Sequence, residues 1–216
     1  MRLRTHKWVW GELAESYICI DDPQSTRGKW QTCFEKEQPM CLELGCGKGG
    51  FISQIAPQNP DINWLAVDIK SEMLGQAKRK IEAAYTGNVP NVRICSWDIE
   101  RIDLILAPWE KVERIYINFC NPWPKPKQHK KRLTHPRQLQ HYKEFLKPGG
   151  EIHFKTDDKG LFEASLRYFA ECNFQVIHKT YDLHQDDYSP NYVTEHEIMF
   201  TNPGLPTMLA VAKWEE

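Results

Sequence analysis

The run Met40-Cys41-Leu42-Glu43-Leu44-Gly45-Cys46-Gly47-Lys48-Gly49-Gly50 passes from five mostly apolar residues straight into a cluster of glycines. A short apolar run that stops at glycines and then opens a helical pattern is the beginning of a β-α unit. Glycine lets the backbone turn tightly and approach a ligand where a Cβ would clash. Outward from this point the punctuation is regular. Residues 63–68, 91–96, 112–119 and 151–156 are further short runs with the β-branched and aromatic content of strands. Between them, Met73, Ala77, Ile81 and Ala84 recur at helical spacing after Ser71, a candidate cap, and Phe162, Leu166, Phe169 and Ala170 do so after Asp157-Asp158. Lys147-Pro148-Gly149-Gly150 is expected to break a helix and turn the chain into the fifth strand. Beyond Phe174 we expect a strand over 174–181, a short helix over 194–200 and a last strand over 207–213. The expected fold is α/β and Rossmann-like: a mostly parallel seven-stranded sheet with helices on both faces and ligands at the carboxyl ends of the strands.

At 216 residues the chain suits one such domain, over 39–216, preceded by an arm and irregular lead-in over 1–38. Without an apolar run of membrane-spanning length or a secretory h-region, a soluble cytoplasmic protein is expected. Seven cysteines, none spaced CxxC, argue against a disulfide framework. The net charge of −1 argues against a protein that coats nucleic acid, yet eight Lys or Arg and a single acid lie between Trp123 and Lys147. Such a local patch can neutralise phosphates, although a solvated helix face also looks like this.

Gly45, Gly47 and Gly50 satisfy GxGxxG, so a dinucleotide site must be weighed. Glu43 argues the other way: a carboxylate just before the glycines sits badly beside a pyrophosphate and suits a cofactor with an ammonium and a sulfonium group, S-adenosylmethionine. Asp68, ending the second strand, is placed to accept from ribose hydroxyls, and Asp98, past the third, from an adenine amino group. No histidines, cysteines and acids share a face as a metal set.

After the fourth strand comes Asn118-Phe119-Cys120-Asn121-Pro122-Trp123-Pro124-Lys125, then Lys130-Lys131-Arg132-Leu133. This segment resembles the FPDPWPK signature of the bacterial tRNA (guanine-N7-)-methyltransferase family. The match continues through His153-Phe154-Lys155-Thr156-Asp157 and Thr194-Glu195-His196-Glu197, and Met1-Arg2-Leu3-Arg4 resembles the family's N-terminal arm. The resemblance implies a class I S-adenosylmethionine-dependent methyltransferase, acting as monomer or homodimer on N7 of the guanine at position 46 in the variable loop of tRNA. It implies cofactor contacts from Glu43, Gly45, Gly47, Asp68 and Asp98, and Asn121 between methyl donor and guanine. Lys125 and Asp157 would contact the substrate, and Thr194 and Glu197 would close the guanine pocket.

The family carries Asp where this chain has Asn121, and Pro where it has Cys120. Guanine N7 has an in-plane lone pair and no proton, so the reaction needs no general base, and an Asn carbonyl still accepts one hydrogen bond. Asn121-Pro122-Trp123 is also similar to the (Asp/Asn)-Pro-Pro-aromatic motif of exocyclic-amino methyltransferases, with Trp123 in place of the second proline. A weakly active tRNA-binding relative is the other alternative. Local readings stand beside these roles: Asp157 as a helix N-cap, Thr194-x-x-Glu197 as a capping box. Either Asp157 or Glu197 can match the two donors on guanine's Watson–Crick edge.

Overall fold

The computed structural model describes residues 7–201 and 204–215; the Met1–Arg4 arm lies outside them. Internal packing divides the chain into two compact units, Met1–Glu110 and Lys111–Glu216. Among the described residues no helix is long and apolar enough to cross a membrane.

In the first unit, β1 (Met40–Leu44), β2 (Asn63–Asp68) and β3 (Val92–Ser96) pair in parallel, in the order β3-β2-β1. All five β1 residues are buried, and only Asp68 of β2 is not. Parallel strands covered on both faces read as continuous apolar runs, which is why these strands stood out in the sequence. The intervening helices are α2 (Ile52–Gln58) and α3 (Ser71–Ala83), with α1 (Lys7–Ala14) at the start of the described chain. Ser71 is the first residue of α3 rather than its cap. Lys70 holds the cap position without a side-chain bond, and Asp68 Oδ1 accepts from the Lys70 amide at 2.9 Å.

The irregular lead-in is built into this unit. Trp30 is fully buried and its indole donates to the Ile105 carbonyl at 2.6 Å. The Glu110 carboxylate accepts from the amides of Gly28, Trp30 and Ala107 at 2.7, 2.8 and 2.8 Å. One acid thereby satisfies three backbone donors that have no sheet or helix to pair with.

The second unit holds β4 (Val112–Asn118), β5 (Leu146–Thr156), β6 (Phe174–Thr180) and β7 (Met208–Trp214) in the order β4-β5-β7-β6. β4 and β5 are parallel, and β7 runs antiparallel between β5 and β6. Its helices are α4 (Pro136–Phe145), α5 (Lys159–Glu171) and α6 (Glu195–Thr201). Lys147-Pro148-Gly149-Gly150 does end α4, but it lies within β5 as an irregularity and not ahead of it. The register jumps from Val112↔Leu146 to Arg114↔Glu151, and Gly149 takes φ 78°. The extra residues are absorbed as a bulge. After the buried Phe174, strand β6 alternates exposed and partly sheltered positions, as an edge strand does.

His153 of β5 is sheltered between Glu151, whose carboxylate is 2.8 Å from Nε2, and Tyr188, whose hydroxyl is 2.8 Å from Nδ1. Donation from Nε2 to Glu151 leaves Nδ1 to accept the Tyr188 proton. Burial lowers the His153 pKa from 6.5, against the opposing pull of Glu151 and with smaller help from Arg114 and Lys155.

Two tests follow from these contacts. Replacing Glu110 with Ala should cost about 3 kcal/mol in denaturant unfolding, whereas Glu113→Gln, which removes an exposed partner of Lys147, should cost less than about 1 kcal/mol. Equal losses would show that Glu110 does not organise the lead-in. For His153 the stability is present above pH 6.5 and is lost as pH falls below it, because the unfolded imidazole takes a proton that the folded one resists. The drop in melting temperature between about pH 7.5 and about pH 5.5 should therefore shrink in His153→Gln.

Candidate active site

In the first unit the glycine loop leaves β1 and meets the end of β2. Gly47 has φ 53°, and a Cβ built there would have nothing within 4 Å, so the loop presents an open backbone cradle. Gly49, which the sequence pattern did not single out, has φ 77°, and a Cβ there would stand 2.9 Å from the Ala77 backbone of α3. It is this glycine that lets α3 pack against the loop. The Asp68 carboxylate bridges the two segments: Oδ2 accepts from the Gly47 amide at 2.9 Å while Oδ1 holds Lys70.

Glu43 is 2% exposed, at the carboxyl end of β1. Glu43 and Asp68 place two carboxylates at the loop; burial pushes the Cys46 thiol pKa well up, and these two charges push it the same way. A cationic ligand suits this anionic loop and a pyrophosphate does not. Past β3, Asp98 is exposed and caps a short 3-10 helix, Ile99–Leu104, by accepting from the Glu100 amide at 3.0 Å. With Ile69, Ser96, Trp97 and Arg101 it lines a cleft of about 200 Å³. The structure thus brings Asp68 to Gly47 and sets Asp98 in an adjoining cleft at the β2 and β3 ends. An open cradle, an anionic field and a cleft with an acceptor fit the amino acid, sulfonium and adenine parts of S-adenosylmethionine.

In the second unit the segment after β4 is bent into an unusual shape. Phe119 and Trp123 have φ of 52° and 43°, a region that costs side-chain-bearing residues about 1–2 kcal/mol each. Three contacts hold it. The Phe119 amide donates to the Lys155 carbonyl at 2.9 Å. Asn121 Oδ1 accepts from the Trp123 amide at 3.1 Å. Arg132 donates from Nε to the Pro122 carbonyl at 2.9 Å and from Nη2 to that of Trp123 at 3.4 Å. Arg132 is only 5% exposed, so it braces this loop and is not part of the solvent-facing basic set. Lys125, Lys127, Lys130 and Lys131 are exposed, Lys131 with its ammonium 5.0 Å over the Trp123 ring.

Asp157 does not cap α5. That position belongs to Asp158, whose Oδ1 accepts from Leu161 at 2.6 Å. Asp157 is left facing α6, its Oδ1 3.5 Å from His196 Nε2, and the His196 ring lies on Phe119 with centroids 4.5 Å apart. Thr194 does cap α6, accepting from the Glu197 amide at 3.2 Å. The Glu197 side chain has turned inward, to Lys155, Asn191 and His184. The ends of β4 and β5 and the start of α6 therefore meet around Phe119, Lys155, Asp157, His196 and Glu197. Phe119, Lys155, Asn191, His184 and His196 were not picked out from sequence. Phe119, Lys155 and His196 lie within the segments 118–125, 153–157 and 194–197 that carry the resemblance, but no local pattern marks them out there.

Residues 37–210 match the family model described as "Putative methyltransferase". A tRNA (guanine-N(7)-)-methyltransferase of Ruminiclostridium cellulolyticum (strain ATCC 35319 / DSM 5812 / JCM 6584 / H10) is 50% identical over 220 residues, covering 100% of this chain and 93% of that protein. The chain belongs to the tRNA (guanine-N7-)-methyltransferase family. Another relative so named, from Clostridium perfringens (strain SM101 / Type A), is 49% identical over 99% of both chains. Among solved structures, the 16S rRNA methyltransferase KamB aligns with TM-score 0.60 at 14% identity, over 99% of this chain and 96% of that one. An antibiotic-related methyltransferase aligns over the same shares with TM-score 0.58, also at 14% identity. At that identity the likeness shows the fold, the Rossmann-like α/β fold anticipated for this methyltransferase family.

Arg132→Met should lower stability by about 1–3 kcal/mol, by stranding two carbonyls of a strained loop. Lys130→Met, at an exposed position, should change it by no more than about 0.5 kcal/mol. Denaturant midpoints measure both, and equal values would return Arg132 to the surface set.

Proposed function

We propose that this chain transfers the methyl group of S-adenosylmethionine to N7 of a guanine in tRNA, the one at position 46 of the variable loop. The observation that carries the reading is the anionic glycine loop of Glu43, Gly47 and Asp68 in a chain about half identical, over its full length, to relatives named for this activity. The cofactor supplies an electrophilic methyl on a sulfonium. Glu43 and the Gly45 and Gly47 turn would hold its charged amino acid portion, Asp68 the ribose, and Asp98 the adenine amino group. Asp68 would give up its bond to Gly47 or share it, since a carboxylate has lone pairs for both.

No residue needs to remove a proton, because N7 carries none. The work left to the protein is holding the base and favouring positive charge on it. Asn121 would supply a neutral acceptor at the position where the family's acid stands, and its commitment to the Trp123 amide fixes its direction. Asp157 and Lys125 would contact the nucleotide, and Thr194 and Glu197 would shape the pocket from α6. Lys125, Lys127, Lys130 and Lys131 would grip phosphates. A cytoplasmic location follows from the substrate.

The reading is tested by incubating the protein with labelled methyl donor and unmodified tRNA and mapping the modified base. Label at N7 of guanine 46 is expected; label on an exocyclic amino group, or none, overturns it. Asn121→Asp keeps an acceptor for the Trp123 amide and adds a charge, so the rate should rise about tenfold with the melting temperature unchanged.

A further inference from the structure

We propose that Lys155 is a positioning residue for the acceptor side of the site, a role that rests on the reading above. Its ammonium, acting through Glu197 and Asn191, fixes α6 and the segment before it against the end of β5, and so sets where Asp157 and His196 stand.

Lys155 is 5% exposed, and Glu197 is fully buried. The Lys155 ammonium donates to the side-chain carbonyl of Asn191, to the Tyr192 carbonyl at 3.2 Å and to Glu197 Oε2 at 3.4 Å. The other carboxylate oxygen, Oε1, accepts from Asn191 Nδ2 at 3.1 Å and lies 3.3 Å from His184 Nε2. Asn191 therefore joins both members of the pair, taking a bond from the cation and giving one to the anion. A buried pair of this kind is strongly held while intact, and removal of either partner leaves an uncompensated charge.

The elements tied together are those that carry the candidate substrate contacts. Lys155 stands two residues before Asp157, and its carbonyl receives the Phe119 amide. Glu197 follows His196, which bridges Phe119 and Asp157. One residue thus ties three elements: its carbonyl holds the end of β4 to β5, and its ammonium holds α6 and the segment before it to β5. The same bonds divide labour between the two acids that sequence left equal. Both oxygens of the fully buried Glu197 are engaged by protein groups, whereas the Asp157 side chain is 24% exposed and pairs, among the described residues, with the half-exposed His196. Asp157 is the acid presented to a base edge, and Glu197 is its support.

The test compares Lys155→Met, Lys155→Arg and the charge-free pair Lys155→Met with Glu197→Met, in the full chain. Methylation kinetics with tRNA are read alongside calorimetric binding of S-adenosylhomocysteine. Lys155→Met should raise KM for tRNA at least tenfold or so, with kcat less affected and affinity for S-adenosylhomocysteine within about twofold of wild type. Lys155→Arg should recover most of the loss. The charge-free pair should recover the melting temperature without recovering KM, and it carries the test if the single Met variant does not fold. Unchanged KM in Lys155→Met, or a charge-free pair that regains wild-type KM, overturns the proposal. If the wild type itself fails to methylate tRNA, the reading of function falls and this role falls with it. Wild-type turnover with an insensitive variant overturns this role alone.

Discussion

Parallel pairing imposes a direction on everything built from it: strands that run the same way deliver their carboxyl ends to the same edge. In the first unit that constraint brings Glu43, Asp68 and Asp98, separated by 25 and 30 residues in sequence, to successive strand ends. The Asp68 carboxylate then converts proximity into geometry by holding the Gly47 and Lys70 amides at once. One carboxylate thereby orders both segments of the loop.

The second unit solves a harder problem, because its candidate site is assembled from irregular backbone. Here the ordering groups are cations. Arg132 takes the carbonyls of the bent loop after β4, and Lys155 takes those of the segment before α6 together with the Glu197 carboxylate. A cation with several donors suits this work, since loops leave carbonyls unsatisfied and a long side chain can reach several of them. For Arg132, charge that reads in the sequence as a binding surface is internal scaffolding.

How much of this was legible depended on the range of the interaction. Strands β1 to β4, β6 and β7 announced themselves through burial on both faces or through bounding turns; β1 and β2 have the expected limits, and the limits of the others differ by one residue at one or both ends. The glycine loop and its acids were legible because strand ends recur at predictable places. What failed was choice between neighbours: Asp157 or Asp158 as cap of α5, Lys70 or Ser71 as cap of α3. Adjacent residues of like chemistry differ only in backbone angle, and composition does not encode that. The Lys155, Asn191 and Glu197 cluster was illegible for another reason. Its members are up to 42 residues apart, and nothing local tells a buried lysine from a solvated one.

The left-handed conformations at Phe119 and Trp123 bear on how this segment can change over time. Glycine at either position would relieve the local backbone strain, yet it would remove the Phe119 ring from His196 or the Trp123 ring from Lys131 and let the intervening residues wander. A sequence drifting toward a less strained backbone here would therefore drift away from a fixed presentation of Asn121. What the bent segment holds in place is Asn121, through the bonds made at Phe119, Trp123 and Arg132.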